Sequence, residues 1–145
     1  MKLIIVSGRS GSGKSVALRV LEDLGYYCVD NIPVNLLPAL THTVINDYET
    51  VAVSIDVRNL PDEPSDVADI LDYLPNNVEL SILYLDAEDV DLIRRFSETR
   101  RLHPLIRKNI ALDQAISLEK KLLEPISSRA NLYFNTSQLS PHQLA

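Results

Sequence analysis

Eight residues near the amino terminus, Gly8-Arg9-Ser10-Gly11-Ser12-Gly13-Lys14-Ser15, constrain this chain more than any other segment. They satisfy G-x-x-x-x-G-K-[ST] at every fixed position. Leu3-Ile4-Ile5-Val6 before them is a short apolar, β-branched run, as in a parallel strand buried on both faces. Val16, Ala17, Val20, Leu21 and Leu24 after them recur at helical spacing. A buried strand, a glycine turn and a helix, in that order, place the turn at one end of a parallel sheet.

That order of elements has a specific chemistry. Successive N–H groups in a glycine-rich turn form a concave nest for anions. The helix that follows adds unpaired N–H groups and a partial positive charge. Gly8, Gly11 and Gly13 relieve the steric limits on such a turn. In this pattern Lys14 reaches the β- and γ-phosphates of a nucleotide and the Ser15 hydroxyl ligates Mg²⁺. Arg9 and Ser10 sit where the pattern leaves the residue open, so weaker binding roles are expected of them. The alternative, an ordinary glycine turn with an exposed lysine, fits the flanking strand and helix poorly.

The rest of the chain alternates in the same way. Strands are expected near 3–7, 26–29, 51–55, 80–85 and 132–135, with helices near 14–24, 34–46, 65–74, 88–99 and 112–129. The expected fold is an α/β P-loop domain: a mainly parallel five-stranded sheet with helices on both faces, like a nucleotide kinase. The 145 residues suffice for one such domain. Ser140-Pro141 reads as the start of another helix. The expectation is an amino-terminal fragment, residues 1–145, of a longer protein. Cys28 is the single cysteine, which excludes an intrachain disulfide; its apolar setting suggests a buried, inert thiol. No apolar segment approaches a membrane span, and a cytoplasmic setting is expected.

In a doubly wound sheet, ligands lie beyond the carboxyl ends of the strands. Asp56, after Val51-Ala52-Val53-Ser54-Ile55, is favoured as the carboxylate that holds Mg²⁺ with Ser15. Asp86 ends a similar strand and is the competing choice. Arg58 and Asn59 follow Asp56 closely enough to meet a phosphate or a base. Asp30 stands where an acceptor hydroxyl would lose its proton, or it opens an Asx-turn.

Charge is distributed unevenly. Between Arg94 and Lys108 stand six basic residues, Arg94, Arg95, Arg100, Arg101, Arg107 and Lys108, opposed only by Glu98. Such a segment could close over a transferring phosphoryl group, with Arg100 or Arg101 stabilising its charge. It could also meet RNA phosphates or a partner protein, or form a solvated helix face. The net charge of −6 argues against nucleic-acid binding by the surface as a whole.

Four segments carry a resemblance. Val6 to Leu18, Tyr27-Cys28-Val29-Asp30-Asn31, Ser54-Ile55-Asp56-Val57-Arg58-Asn59 and Thr99-Arg100-Arg101-Leu102-His103-Pro104-Leu105 resemble the amino-terminal domain of the RapZ family of bacterial RNase adapters, also called YvcJ-type P-loop NTPases. The resemblance spans essentially the whole chain. It implies binding and slow hydrolysis of ATP or GTP at Gly8 to Ser15, with Asp56, Val57, Arg58 and Asn59 matching a guanine-nucleotide segment. It further implies a full-length homo-oligomer that binds small regulatory RNA and presents it to RNase E, controlling glucosamine-6-phosphate synthase. The RNA-binding part lies in a carboxyl-terminal domain absent here. The competing class is a small-molecule kinase that moves the γ-phosphate of ATP to a nucleoside monophosphate or a sugar-like acceptor.

Overall fold

The computed structural model describes residues 1–9, 11–61, 65–75, 77–99, 103, 105 and 111–136. Five strands, β1 (Lys2–Gly8), β2 (Tyr27–Val29), β3 (Thr50–Ile55), β4 (Glu79–Asp86) and β5 (Leu132–Asn135), form one sheet in the order β2-β3-β1-β4-β5. Every pairing between neighbours is parallel. Among the described residues the α-helices are α1 (Lys14–Asp23), α2 (Leu37–Val44), α3 (Ser65–Asp72), α4 (Asp89–Thr99), α5 (Leu112–Leu122) and α6 (Glu124–Ser127).

The two-residue period of a strand sorts the apolar side chains onto two faces. Leu3 and Ile5 of β1 stand beside Val51 and Val53 of β3, and Ile5 also pairs with Ile82 of β4. These join Leu37 and Val44 of α2, Val67 and Leu71 of α3, and Ile126 of α6 in the larger core. Val6, Ala52 and Leu85 point the other way and pack on Ala17 and Leu18 of α1. Helices therefore cover both faces, as the continuous apolar runs in β1 and β3 require. No helix among the described residues is long and apolar enough to cross a membrane.

Two expected helices are shorter than their apolar patterns. The one near 112–129 divides into α5 and α6 at Leu123. Pro125 explains the break, because it lacks an N–H and its ring crowds the carbonyl four residues back. The one near 34–46 begins as a 3₁₀ turn over Val34–Leu36 and becomes α-helical only at Leu37. Pro38 then falls in the first helical turn, where its missing N–H costs nothing. Cys28 is half-buried rather than buried, its Sγ 3.5 Å from the Leu18 carbonyl, and burial pushes its thiol pKa up.

Candidate functional site

β1 occupies the middle of the sheet, so its carboxyl end opens between β3 on one side and β4 on the other. The glycine turn starts there. Gly8 has φ +150, and a Cβ added to it would lie 2.1 Å from the Leu85 carbonyl oxygen. Only glycine passes β4 that closely. The Ser12 N–H closes the turn on the Arg9 carbonyl at 3.0 Å, and Gly13 caps α1. Lys14 curls back over the turn and donates from Nζ to the Gly8 carbonyl at 2.9 Å. Ser15 follows, exposed, in the first turn of α1. Ser12 is fully buried, and its hydroxyl has no partner among the described residues. Ser10 lies outside those residues.

Arg9 departs from its expected role. Its side chain is 2% exposed and runs to the end of β4, donating to Asp86 Oδ1 at 2.7 Å, Asp89 Oδ1 at 2.6 Å and the Ala87 carbonyl at 2.7 Å. The guanidinium is thus consumed inside the protein, and only the Arg9 backbone remains for an anion. The same contacts bear on the two strand-end aspartates. Asp86 accepts from Arg9 on Oδ1, from the Ala87 N–H at 2.8 Å on Oδ1, and from the Tyr133 hydroxyl at 2.8 Å on Oδ2. Its carboxylate is a structural anchor with little capacity left for a metal.

Asp56 has a different setting. It is buried, but its partner is the Arg58 guanidinium, whose side chain is 58% exposed. Asp56 Oδ1 accepts the Arg58 N–H at 2.8 Å, and Asn59 Oδ1 returns the favour to the Asp56 N–H at 2.9 Å. This reciprocal cap winds Val57–Asn59 into a 3₁₀ turn. Asn59 also donates to the Asn31 carbonyl at 3.3 Å, tying the turn to the end of β2. There Asp30 accepts from the Ser54 hydroxyl, and Asn31 adopts φ 54 with its N–H on Ser54 Oγ. Val57 is buried in the core, and both ends of the Asn59 amide are engaged. Asp56 and Arg58 therefore face the phosphate loop from the β3 side, whereas Val57 and Asn59 build the turn that holds them.

Electrostatics joins these pieces. The Lys14 amine is held below the ordinary lysine value, first by burial; Glu119, Asp56 and Asp30 push it back up, and Arg58 pulls it down. Lys14 thus faces carboxylates from three separate elements. Hydrogen bonds to Asp56 lead the causes that raise the Arg58 pKa. Among the described residues, no cluster of three His, Cys, Asp or Glu side chains could hold a metal by itself. The Ser15 hydroxyl and the Asp56 carboxylate are hard oxygen donors, the type that Mg²⁺ takes.

Four further residues reach the site: Arg95 from the basic run, His103 from the Thr99–Leu105 segment, Thr136 just past the last strand, and Glu119, which alone had no local sequence signal. Glu119 of α5 is fully buried and meets His103 Nε2 at 2.8 Å. The Leu105 N–H donates to His103 Nδ1 at 3.1 Å, so Nδ1 is the acceptor and Nε2 carries the proton that goes to Glu119. His103 is buried, and both its ring nitrogens are engaged by these contacts. Thr136, just past β5, donates from Oγ1 to the Ser12 carbonyl at 2.8 Å. Arg95 of α4 bonds the Gly11 carbonyl. Arg100, Arg101, Arg107, Lys108 and Ser137 through Ala145 lie outside the described residues.

A glycine turn heading the central strand of a parallel 2-3-1-4-5 sheet defines the P-loop class shared by nucleotide and sugar kinases. Solved structures agree at the level of fold. A shikimate kinase from Bacteroides thetaiotaomicron superposes with TM-score 0.57 at 17% identity, covering 92% of this chain and 85% of that one. A gluconokinase from Sinorhizobium meliloti gives TM-score 0.56 at 17% identity, covering 99% and 87%.

Residues 1–145 match the RapZ-like N-terminal domain, and the chain belongs to that family. A nucleotide-binding protein of Colwellia psychrerythraea is 80% identical over 145 residues, 100% of this chain and 51% of that protein. The RNase adapter protein RapZ of Photorhabdus laumondii is 57% identical over the same 145 residues and the same shares. The chain spans about half the length of the curated relatives it matches.

Proposed function

We propose that this chain binds ATP or GTP with Mg²⁺ at the Gly8–Ser15 loop, hydrolyses it slowly, and serves as the nucleotide-binding half of an RNase adapter. One observation carries the reading: a turn that only glycine can form leaves a buried Ser12 hydroxyl, with no partner among the described residues, beside the amino terminus of α1. A polyphosphate supplies what that arrangement lacks, an anion for the N–H groups and for Lys14.

In this reading the N–H groups of Gly11, Gly13, Lys14 and Ser15 hold the phosphates, the Ser12 N–H being engaged by the Arg9 carbonyl. Lys14 exchanges its bond to the Gly8 carbonyl for a β- or γ-phosphate oxygen, which offsets the cost of its burial. Ser15 and Asp56 hold the Mg²⁺, whose contribution when bound is to neutralise the triphosphate. Arg58, paired with Asp56 through a side chain that is largely in solvent, adds positive charge from the β3 side. Arg100 and Arg101 are assigned to stabilising the phosphoryl group in hydrolysis. The RNase adapter names of the relatives support the wider role. A full-length homo-oligomer in the cytoplasm would bind small regulatory RNA and present it to RNase E, controlling glucosamine-6-phosphate synthase. The net charge of −6 argues against RNA contact by this surface as a whole, so that role is proposed to lie mainly outside residues 1–145.

The kinase alternative draws on one feature, the Asp30 carboxylate held by Ser54 at the end of β2 beside Asp56. Efficient phosphorylation of a nucleoside monophosphate or a sugar would favour it. Calorimetry with ATP–Mg²⁺ and GTP–Mg²⁺ tests the main reading. Wild type is expected to bind, and Lys14→Met to lose at least about tenfold in affinity while folding normally, as for removal of a charged hydrogen-bond donor. Equal binding by both proteins would overturn it.

A further inference from the structure

Two adjacent residues of α4 reach back to the phosphate loop. Arg95 donates from Nη1 to the Gly11 carbonyl at 2.8 Å and to Thr136 Oγ1 at 3.1 Å, and from Nη2 to the Thr136 carbonyl at 2.6 Å. Phe96 lies close to the same point of the loop. A Cβ on Gly11, at φ +87, would stand 3.3 Å from its Cε2. Thr136 is 2% exposed, and its N–H bonds the Asp86 carbonyl at 2.7 Å, which fixes it to the sheet. From there its hydroxyl donates to the Ser12 carbonyl at 2.8 Å.

The loop carbonyls of Gly11 and Ser12 are therefore both held against the β4–β5 side. Peptide planarity turns that into an orientation of donors. In a trans peptide the C=O and N–H point in opposite directions. The Ser12 carbonyl shares its peptide with the Gly13 N–H, so holding the one on Thr136 aims the other away from the wall. The Gly11 carbonyl shares its peptide with the Ser12 N–H, which closes the turn on Arg9. Both wall contacts thus act on the curvature that makes the loop concave.

We infer that Arg95 and Thr136 are positioning residues of the phosphate loop, holding the Gly11 and Ser12 carbonyls outward so that the Gly13 N–H faces the anion. This rests on the nucleotide-binding reading of the same loop. It adds two residues from α4 and the end of β5, neither within the glycine motif. The guanidinium suits the task because one planar group reaches two carbonyls and a hydroxyl at once. A lysine offers a point charge that satisfies one of them well.

The test uses Arg95→Met, Arg95→Lys, Thr136→Val and Thr136→Ser. Backbone hydrogen exchange of residues 11–15 is followed in the nucleotide-free protein, and ATP–Mg²⁺ affinity by calorimetry. Arg95→Met and Thr136→Val should each speed exchange in the loop with the sheet still protected, and each should weaken binding about tenfold, as for one lost charge-assisted or buried hydrogen bond. Thr136→Ser, which keeps the hydroxyl, should restore affinity to within about twofold, and Arg95→Lys should restore it in part. The double variant should lose less than the sum of the two singles, because both act on one turn. Folded variants with unchanged exchange and affinity, beside a wild type that binds, overturn the positioning role alone. A wild type that binds neither ATP nor GTP overturns the nucleotide reading and this role with it.

Discussion

The two flanks of the phosphate loop use similar residues to opposite ends. On the β4 side, Arg9 is buried against Asp86 and Asp89, and Asp86 is completed by Ala87 and Tyr133. On the β3 side, Arg58 pairs with Asp56 but stays largely in solvent. Each flank is an arginine with a strand-end aspartate. The first is a wall, with its hydrogen-bonding capacity consumed. The second is an ion pair whose guanidinium lies largely in solvent, where a ligand can reach it. Chemistry is expected at the second because a ligand gains only from groups it can recruit without breaking the fold.

The largest effect should come from breaking the wall. Arg9→Met leaves Asp86 buried without its charge partner and should cost about 3–5 kcal/mol of stability. The matching change across the loop, Arg58→Met, should cost less, about 1–2 kcal/mol, because Asp56 is buried but its partner's guanidinium lies largely in solvent. Urea unfolding of the two variants measures the contrast directly, and similar losses would erase the distinction between the flanks.

A smaller effect probes the wall by pH. Burial first, then the bond to Asp86, raises the Tyr133 pKa from 10.0 to about 12. The folded state holds this proton more tightly than the unfolded one. The associated stability is therefore fully present below pH 10 and lost as pH rises through about 12. Absorbance titration of the tyrosinate band and unfolding in that window check the sign. Tyr133→Phe should remove this part of the pH dependence and cost about 1 kcal/mol at neutral pH, the net worth of one hydrogen bond.

The smallest effect concerns the loop between the flanks. The Ser12 hydroxyl is buried without a partner among the described residues. Ser12→Ala should leave nucleotide-free stability unchanged or raise it by up to about 1 kcal/mol, and narrow the gain on adding nucleotide. Thermal unfolding with and without ATP–Mg²⁺ reads both quantities. A marked loss of stability without nucleotide would mean that the hydroxyl serves the fold.

Much of this was legible along the chain. Gly8 to Ser15 announce the turn, and the alternation of apolar runs announces the parallel sheet. Aspartates at the ends of β3 and β4 mark where ligands would lie. The internal break at Pro125 was also written in the residue itself, though the apolar spacing across it suggested one longer helix. What could not be read was which aspartate is spent. Asp56 and Asp86 have nearly identical local settings, each ending an apolar strand. They differ because Arg9 and Tyr133 arrive at Asp86 from 77 and 47 positions away. Thr136 meets Ser12 across 124 positions, and Arg95 meets Gly11 across 84. No local pattern encodes such meetings.

By itself, then, the sequence determined the elements and the anion-binding turn, since both follow from short-range causes: apolar period, glycine's freedom at positive φ, and the unpaired N–H groups that begin a helix. Tertiary structure alone decided the roles. Arg9 became a buried anchor, Arg58 an available cation, and Arg95 with Thr136 the brace behind the loop, because a side chain's task depends on which distant groups the strand order brings within hydrogen-bond reach and on how much water remains around it.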